Sequence, residues 1–205
     1  MNDSETVGIS GLRWESNYCA ETGPASYTLV ANPGPLVTDF HLWLRDSYEA
    51  YVLHVGQEDR LTFIGPPDRT IAARFVDCRR SLIDSGQRSL IAFSFVPDPR
   101  RVLHVPQGIA MHFAGLCNVT VRSEPVLFAP SKQTAYEPGN DQIRISTATS
   151  PKDFPSIEVN DLPLPAAVLQ SICRREQDML ASGAHYDTTF GIPVGNEIHR
   201  IRADR

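Results

Sequence analysis

No two of the four cysteines, Cys19, Cys78, Cys117 and Cys173, are close enough in sequence to form a Cys-x-x-Cys pair. That excludes a zinc knuckle and a dithiol redox motif. The apolar neighbours of the last three mark them as small buried hydrophobes of a reducing compartment. There is no Gly-x-Gly-x-x-Gly and no phosphate-binding loop, so no cofactor motif is present. Basic residues never run longer than a pair, as at Arg79–Arg80, Arg100–Arg101 and Arg174–Arg175, and the net charge is −5. Both features argue against nucleic-acid and anionic-membrane partners, whose phosphates need clustered Lys and Arg. No apolar run reaches the length of a membrane helix. The opening "MNDSETVG" has neither the basic stretch nor the apolar core of a signal peptide. A cytoplasmic location is the expectation.

Hydrophobic residues make up 41% of the 205, enough for a sizeable core without disulfides or metal. From Leu12 to about Thr147 the chain reads as short strands separated by Pro/Gly turns. "SYTLVA", "DFHLWLR", "EAYVLHV", "RLTFI", "TIAARFVDC", "SLIAFSFV", "RVLHV", "NVTVRSEPVLF" and "QIRIS" are the strands; "NPGP", "GPPD", "DSG", "VPDP", "PQG" and "EPGN" are the breaks. Strands at this spacing predict an antiparallel sandwich or barrel. Further on, Val168, Leu169, Ile172, Cys173, Met179 and Leu180 recur at helical spacing between Pro165 and Gly183, which predicts one helix. The expected organisation is a barrel over residues 1–160, with a helix and an extended tail over 161–205 packed on it.

The stretch "FVDCRRSLIDSGQRSLIAFSFVPDPRRVLHVPQGIAMHFAGL" (75–116) resembles the dTDP-4-dehydrorhamnose 3,5-epimerase family, a branch of the cupin jelly rolls. Asp77, Arg79 or Arg80, Ser81, Pro106, Gly108, Ala110, Phe113 and Leu116 carry the match. Upstream, "VLHVGQ" is similar to the family's "GLHxQ" and places His54 at its catalytic histidine. Downstream, "SPKDFP" is similar to a segment whose aspartate pairs with that histidine, here Asp153. The resemblance spans roughly Asp39 to Pro155. It implies an all-β fold, a cupin jelly-roll barrel with a C-terminal α-helix and tail, and a homodimer. The long, uncharged strand "SLIAFSFV" would otherwise be an exposed edge.

Four departures separate the chain from that family. The family's phosphate-holding arginine falls at Tyr51, and its following lysine falls near Arg60. Its "AHGF" histidine falls at Met111, with His112 one position late. Its tyrosine acid falls at Leu127 or Phe128. The fold and the base therefore carry over, while the phosphate grip and the acid do not.

Proton removal beside a carbonyl needs a base, a donor for the enolate oxygen and an acid on the far face. An imidazole suits the base role, and a carboxylate behind it fixes the tautomer. His54 and Asp153 are the candidates for these roles. His112 is a further catalytic candidate: strict alternation groups it with Ala110 and Ala114, a small face with one polar side chain. A register slip of one residue would instead bring Met111 to the cavity. His41 shares a face with Asp39 and Trp43. Arg60, Arg74 and Arg122 lie on predicted strands; facing inward they would grip a ligand, and facing outward they would be solvated strand charges. Tyr48, Tyr51, Trp43 and Phe63 form either an aromatic wall or ordinary core. The set for substrate binding is thus Arg60, Tyr51, Arg74, Met111, Arg122, Phe128 and His41. Metal-binding cupins use a His-x-His motif and a second histidine where Met111 stands, so neither metal nor cofactor is expected.

The reading that follows is an epimerase- or isomerase-like enzyme acting beside a carbonyl of a small biosynthetic intermediate, a deoxysugar or another natural product. The same cavity would also serve a cyclase or dehydratase. Two other readings compete with it: a non-catalytic barrel that binds a small ligand or partner chain, and a metal-dependent oxygenase.

Overall fold

The computed structural model describes residues 5–23, 26–29, 38–80, 89–132, 135–136, 142–182, 189–194 and 197–202. The strands are β1 (Glu5–Thr6), β2 (Arg13–Ser16), β3 (Cys19–Gly23), β4 (Ser26–Leu29), β5 (Asp39–Leu42) and β6 (Ala50–His54). There follow β7 (Gln57–Ile64), β8 (Ile71–Asp77), β9 (Leu90–Phe95), β10 (Arg101–Val105), β11 (Ile109–Ala114) and β12 (Thr120–Ser123). The last are β13 (Val126–Ala129), β14 (Ala135–Tyr136), β15 (Gln142–Ser146), β16 (Leu162–Pro163), β17 (Thr189–Val194) and β18 (Glu197–Arg202). One long helix, α1, spans Ala166–Ser182. The matched Ser81 lies outside the described residues.

Two antiparallel sheets face each other. One runs β1-β2-β10-β7-β12-β5, with β13 continuing beside β7; the other runs β15-β6-β11-β8-β9. The expected single strand "NVTVRSEPVLF" is two: Thr120–Ser123 pairs with the end of β7 and Val126–Ala129 with its start. Pro125 lies between them and cannot donate a ladder hydrogen bond.

The inner faces meet in an aromatic core. Phe63 packs against Phe113 at 5.2 Å and Phe95 at 4.9 Å, Phe75 meets Phe113 at 5.7 Å, and Trp14 meets Phe95 at 5.0 Å. Each of the fully buried rings, Phe63, Phe75 and Phe113, contributes about 1.5–3 kcal/mol relative to exposure. Leu127 and Ala129 of β13 turn the other way, onto Val168, Leu169 and Ile172 of α1 and Ile192 and Ile201 of the β17–β18 hairpin. The C-terminal segment read as a helix and tail is thus a helix and a hairpin covering β13.

At the end of β11, Gly115 has φ +84°, and a Cβ there would lie 2.2 Å from the Thr70 carbonyl oxygen. Backbone strain and clash coincide at this position. Gly115→Ala is expected to cost about 3 kcal/mol, read as a lower urea midpoint at unchanged slope. Gly23→Ala, where the new Cβ meets only the Ser26 hydroxyl at 3.2 Å, serves as the mild control. Equal losses at both sites would show that the Thr70 contact is not the constraint.

Candidate active site

Where the aromatic core stops, the barrel opens into a cavity of about 600 Å³. Its walls come from alternate residues of the strands on either side. β5 supplies Asp39 and His41; β6 supplies Ala50, Val52 and His54; β7 supplies Gln57, Asp59 and Leu61. Met111 of β11, Val121 and Ser123 of β12, and Gln142 and Arg144 of β15 complete the strand positions. The connection from β5 to β6 adds Trp43, Arg45, Ser47, Tyr48 and Glu49. The mouth therefore lies on the side of β5 and β15, the outer strands of their sheets among the described residues.

His54 ends β6, and its backbone is gripped by three other segments. Gly108 N–H donates to the His54 carbonyl at 2.8 Å, Asn160 N–H to that of Val55 at 3.0 Å, and Phe128 N–H to that of Gly56 at 2.7 Å. The Asn160 amide also donates to the Phe128 carbonyl at 3.0 Å, tying two of these segments together. Gly108, at φ +76°, closes the Pro-x-Gly turn that presents the first of these donors. The His54 ring lines the cavity, and its Nδ1 is buried with no hydrogen-bond partner among the described residues.

Asp153 is not that partner. It is exposed at the end of a 3-10 turn, Pro151–Asp153. The neighbouring Phe154 explains why: it is buried against Tyr51, ring centroids 5.1 Å apart, on the outer face of β6. Tyr51 and His54 point to opposite faces of the strand, so docking Phe154 on Tyr51 holds Asp153 on the far side of the sheet.

The same alternation moves other expected residues out of the cavity. On β11, Met111 pairs with Val52 and faces in, whereas His112 pairs with Arg74 and faces out. The His112 Nε2 lies 3.1 Å from the Tyr48 carbonyl, and its ring packs 5.3 Å from Tyr51. Arg74 is exposed beside it. Arg60 pairs with His104 on the outer face of its sheet, and the inward position at this point of β7 is Asp59. Arg122 pairs across the ladder with Thr62 and is ion-paired with Glu124, both buried. Phe128 is half-buried on β13 and does not line the cavity. Arg79, part of the family-like stretch, grips Asp77 through Nε and Nη2 at 3.0 and 2.6 Å. His54, His41 and Met111 thus remain at the cavity, while Asp153, His112, Tyr51, Arg60, Arg74, Arg122 and Phe128 do not.

Two cavity residues gain weight from the structure. Trp43 and Tyr48 stack at 4.6 Å with 25° between their planes. Burial first, and then the Asp59 carboxylate, pushes the Tyr48 phenol above its ordinary range. A protonated phenol can donate a hydrogen bond. Asp59 itself is buried and accepts a hydrogen bond from Gln57 Nε2 at 2.7 Å. In sequence, Asp59 could have been placed by counting back two at a time from Phe63, a core residue of the same strand. Among the described residues, no three His, Cys, Asp or Glu side chains converge as a metal site requires.

Comparison with solved structures follows from this layout. The chain superposes on the dTDP-4-dehydrorhamnose 3,5-epimerase of Bacillus anthracis str. Ames, solved with TDP and PPi, with a TM-score of 0.52 at 9% identity, over 79% of this chain and 94% of that one. It superposes on the dTDP-6-deoxy-D-glucose-3,5-epimerase RmlC of Legionella pneumophila Philadelphia 1, solved with dTDP-4-keto-L-rhamnose, with a TM-score of 0.51 at 12% identity, over 82% and 90%. The fold is that of the RmlC-like cupins. Against the Mycobacterium tuberculosis RmlC epimerase the TM-score is 0.44 at 12% identity, with 60% of this chain and 66% of that one covered. No protein-family model matches the chain, and no curated protein sequence does. Among the described residues no helix is long and apolar enough to cross a membrane.

The outward placement of His112 has a measurable signature. Burial lowers its pKa most, the Tyr48 carbonyl raises it, and the Arg74 charge lowers it further. Its NMR titration midpoint is expected below the usual imidazole value and should rise in Arg74→Gln. A midpoint that does not move would separate the two side chains and contradict the register of β8 and β11.

Proposed function

We propose that the chain is a cofactor-independent isomerase- or epimerase-like enzyme that moves a proton at a carbon beside a carbonyl, with His54 as the base. The observation that supports this most directly is the His54 imidazole on the cavity wall, in a cavity that also presents the protonated Tyr48 phenol. His54 takes the proton, and the electron pair moves to the carbonyl oxygen. The Tyr48 hydroxyl donates a hydrogen bond to the resulting enolate; a water molecule then protonates the same carbon on the face opposite His54, and His54 gives its proton to the hydroxide left in solvent, which completes the inversion. Tyr48 is thus the hydrogen-bond donor to the enolate oxygen and does not replace the family's tyrosine acid, a role left to water. The substrate is a small biosynthetic ketone, a deoxysugar or another natural-product intermediate, and a cyclase or dehydratase would start from the same enolate.

A second reading, a barrel that binds a small ligand without turning it over, is favoured by the orphaned Nδ1 of His54. A carboxylate there would fix the tautomer and stabilise the imidazolium; without one the base is less well organised.

Solvent exchange separates the two. A panel of cyclic ketones and 4-keto-6-deoxysugars in D2O, followed by NMR, is expected to show protein-dependent exchange of the protons beside the ketone. His54→Ala should lose a factor on the order of 10²–10⁴, and Tyr48→Phe about 10²–10³, as for removal of an oxyanion donor. Asp153→Asn should leave the rate unchanged. Ligand binding without His54-dependent exchange would favour the binding barrel.

The homodimer is part of the same proposal. Among the described residues β9 is an outer strand with Leu90 52% exposed, and β5 is another, with Phe40 and Leu42 65% and 66% exposed. Open edges of this kind pair with further strands. Light scattering at micromolar concentration is expected to give twice the chain mass; a monomer mass would overturn this part.

A further inference from the structure

We infer that the cavity takes an uncharged, ring-sized ketone with an apolar body and rejects nucleoside diphosphates. This rests on the reading of the cavity as the reactive site and narrows its substrate class.

Charge is the first ground. Among the described lining residues the acids Asp39, Glu49 and Asp59 outnumber the bases Arg45 and Arg144. Arg45 and Glu49 pair with each other at the exposed rim and cancel, which leaves Asp39 and Asp59 against Arg144. Asp59 is only 4% exposed, so its charge acts through little water. A diphosphate brings several negative charges and needs forked arginines, clustered cations or a helix N-terminus to meet them. The strand positions where cations were expected hold Tyr51 and Arg60, and both face out of the cavity.

Shape and surface are the second ground. Trp43 and Tyr48 make a stacked aromatic wall, and Val52, Leu61 and Met111 add apolar surface. A volume of about 600 Å³ is typical of a small-molecule site. An apolar ring gains from this surface by leaving water, while one carbonyl meets the donor of Tyr48. The two RmlC-like epimerases described above were solved with thymidine nucleotides, so the inference sets this chain apart from them.

The protein carries its own reporter. Trp14 and Trp43 are its only tryptophans, so Trp14→Phe leaves Trp43 alone in the cavity. In that variant α-tetralone, an uncharged bicyclic ketone, is expected to quench the fluorescence saturably. TDP at about 1 mM, a concentration that detects even weak affinity, is expected to do nothing. Calorimetry on the wild-type protein repeats both titrations without any tryptophan replacement. In Asp39→Asn/Glu49→Gln/Asp59→Asn, TDP affinity should rise at least about tenfold, the scale of 1.4 kcal/mol. Saturable TDP binding by wild type, absence of tetralone binding, or a triple variant no better than wild type would each overturn the inference. Failure of the reaction itself shows separately, as tetralone binding with no His54-dependent exchange.

Discussion

Successive side chains of a strand point to opposite faces, and in this barrel one face is the inside. Leu53 and Phe113 are fully buried, Leu53 in the outer cluster with Tyr51 and Phe154, Phe113 in the aromatic core. Neither can trade places with a neighbour without moving a large apolar surface into the wrong layer. With Leu53 held outward, Val52 and His54 must face the cavity. With Phe113 held inward, Met111 faces it too, and His112 must leave. The chemistry available to the site is therefore set by packing on residues that never touch it, because a slip of one residue would reverse every side chain on the strand.

That dependence also explains what could be read from the residues alone. The strands, their turns and the helix follow from period-two and helical apolar patterns, and they reappear as β4 to β13, β15 and α1. The break at Pro125 and the C-terminal hairpin were less legible, since both depend on what lies alongside. For the site, position in a motif was a weaker guide than position on a face. Arg60 was chosen by its distance from a histidine motif, and the residue that enters the cavity is its neighbour Asp59. Asp153 was chosen from a polar, proline-bounded segment, and Phe154 beside it decides where that segment lies. Tyr48 stands on a connection rather than a strand, so no alternation could aim it.

Ion pairs away from the cavity absorb much of the charge that a ligand-centred reading assigns to it. Arg122 meets Glu124, Arg79 meets Asp77, and His104 lies 2.9 Å from Glu15. These side chains stand on β-sheet faces or at strand ends, away from the cavity lining. The cavity sets polar side chains from β5, β7 and β15 beside an aromatic and aliphatic patch of Trp43, Val52, Leu61 and Met111.

The grip on the loop after His54 works entirely through carbonyl oxygens. Gly108, Phe128 and Asn160 hold the chain at Val55 and its two neighbours without touching the imidazole. Whatever residue occupies position 54 inherits the same place on the wall. A lineage can therefore exchange the reactive group there without rebuilding the barrel around it. In this architecture, the history of chemical change is written in single side chains, and the backbone preserves the address.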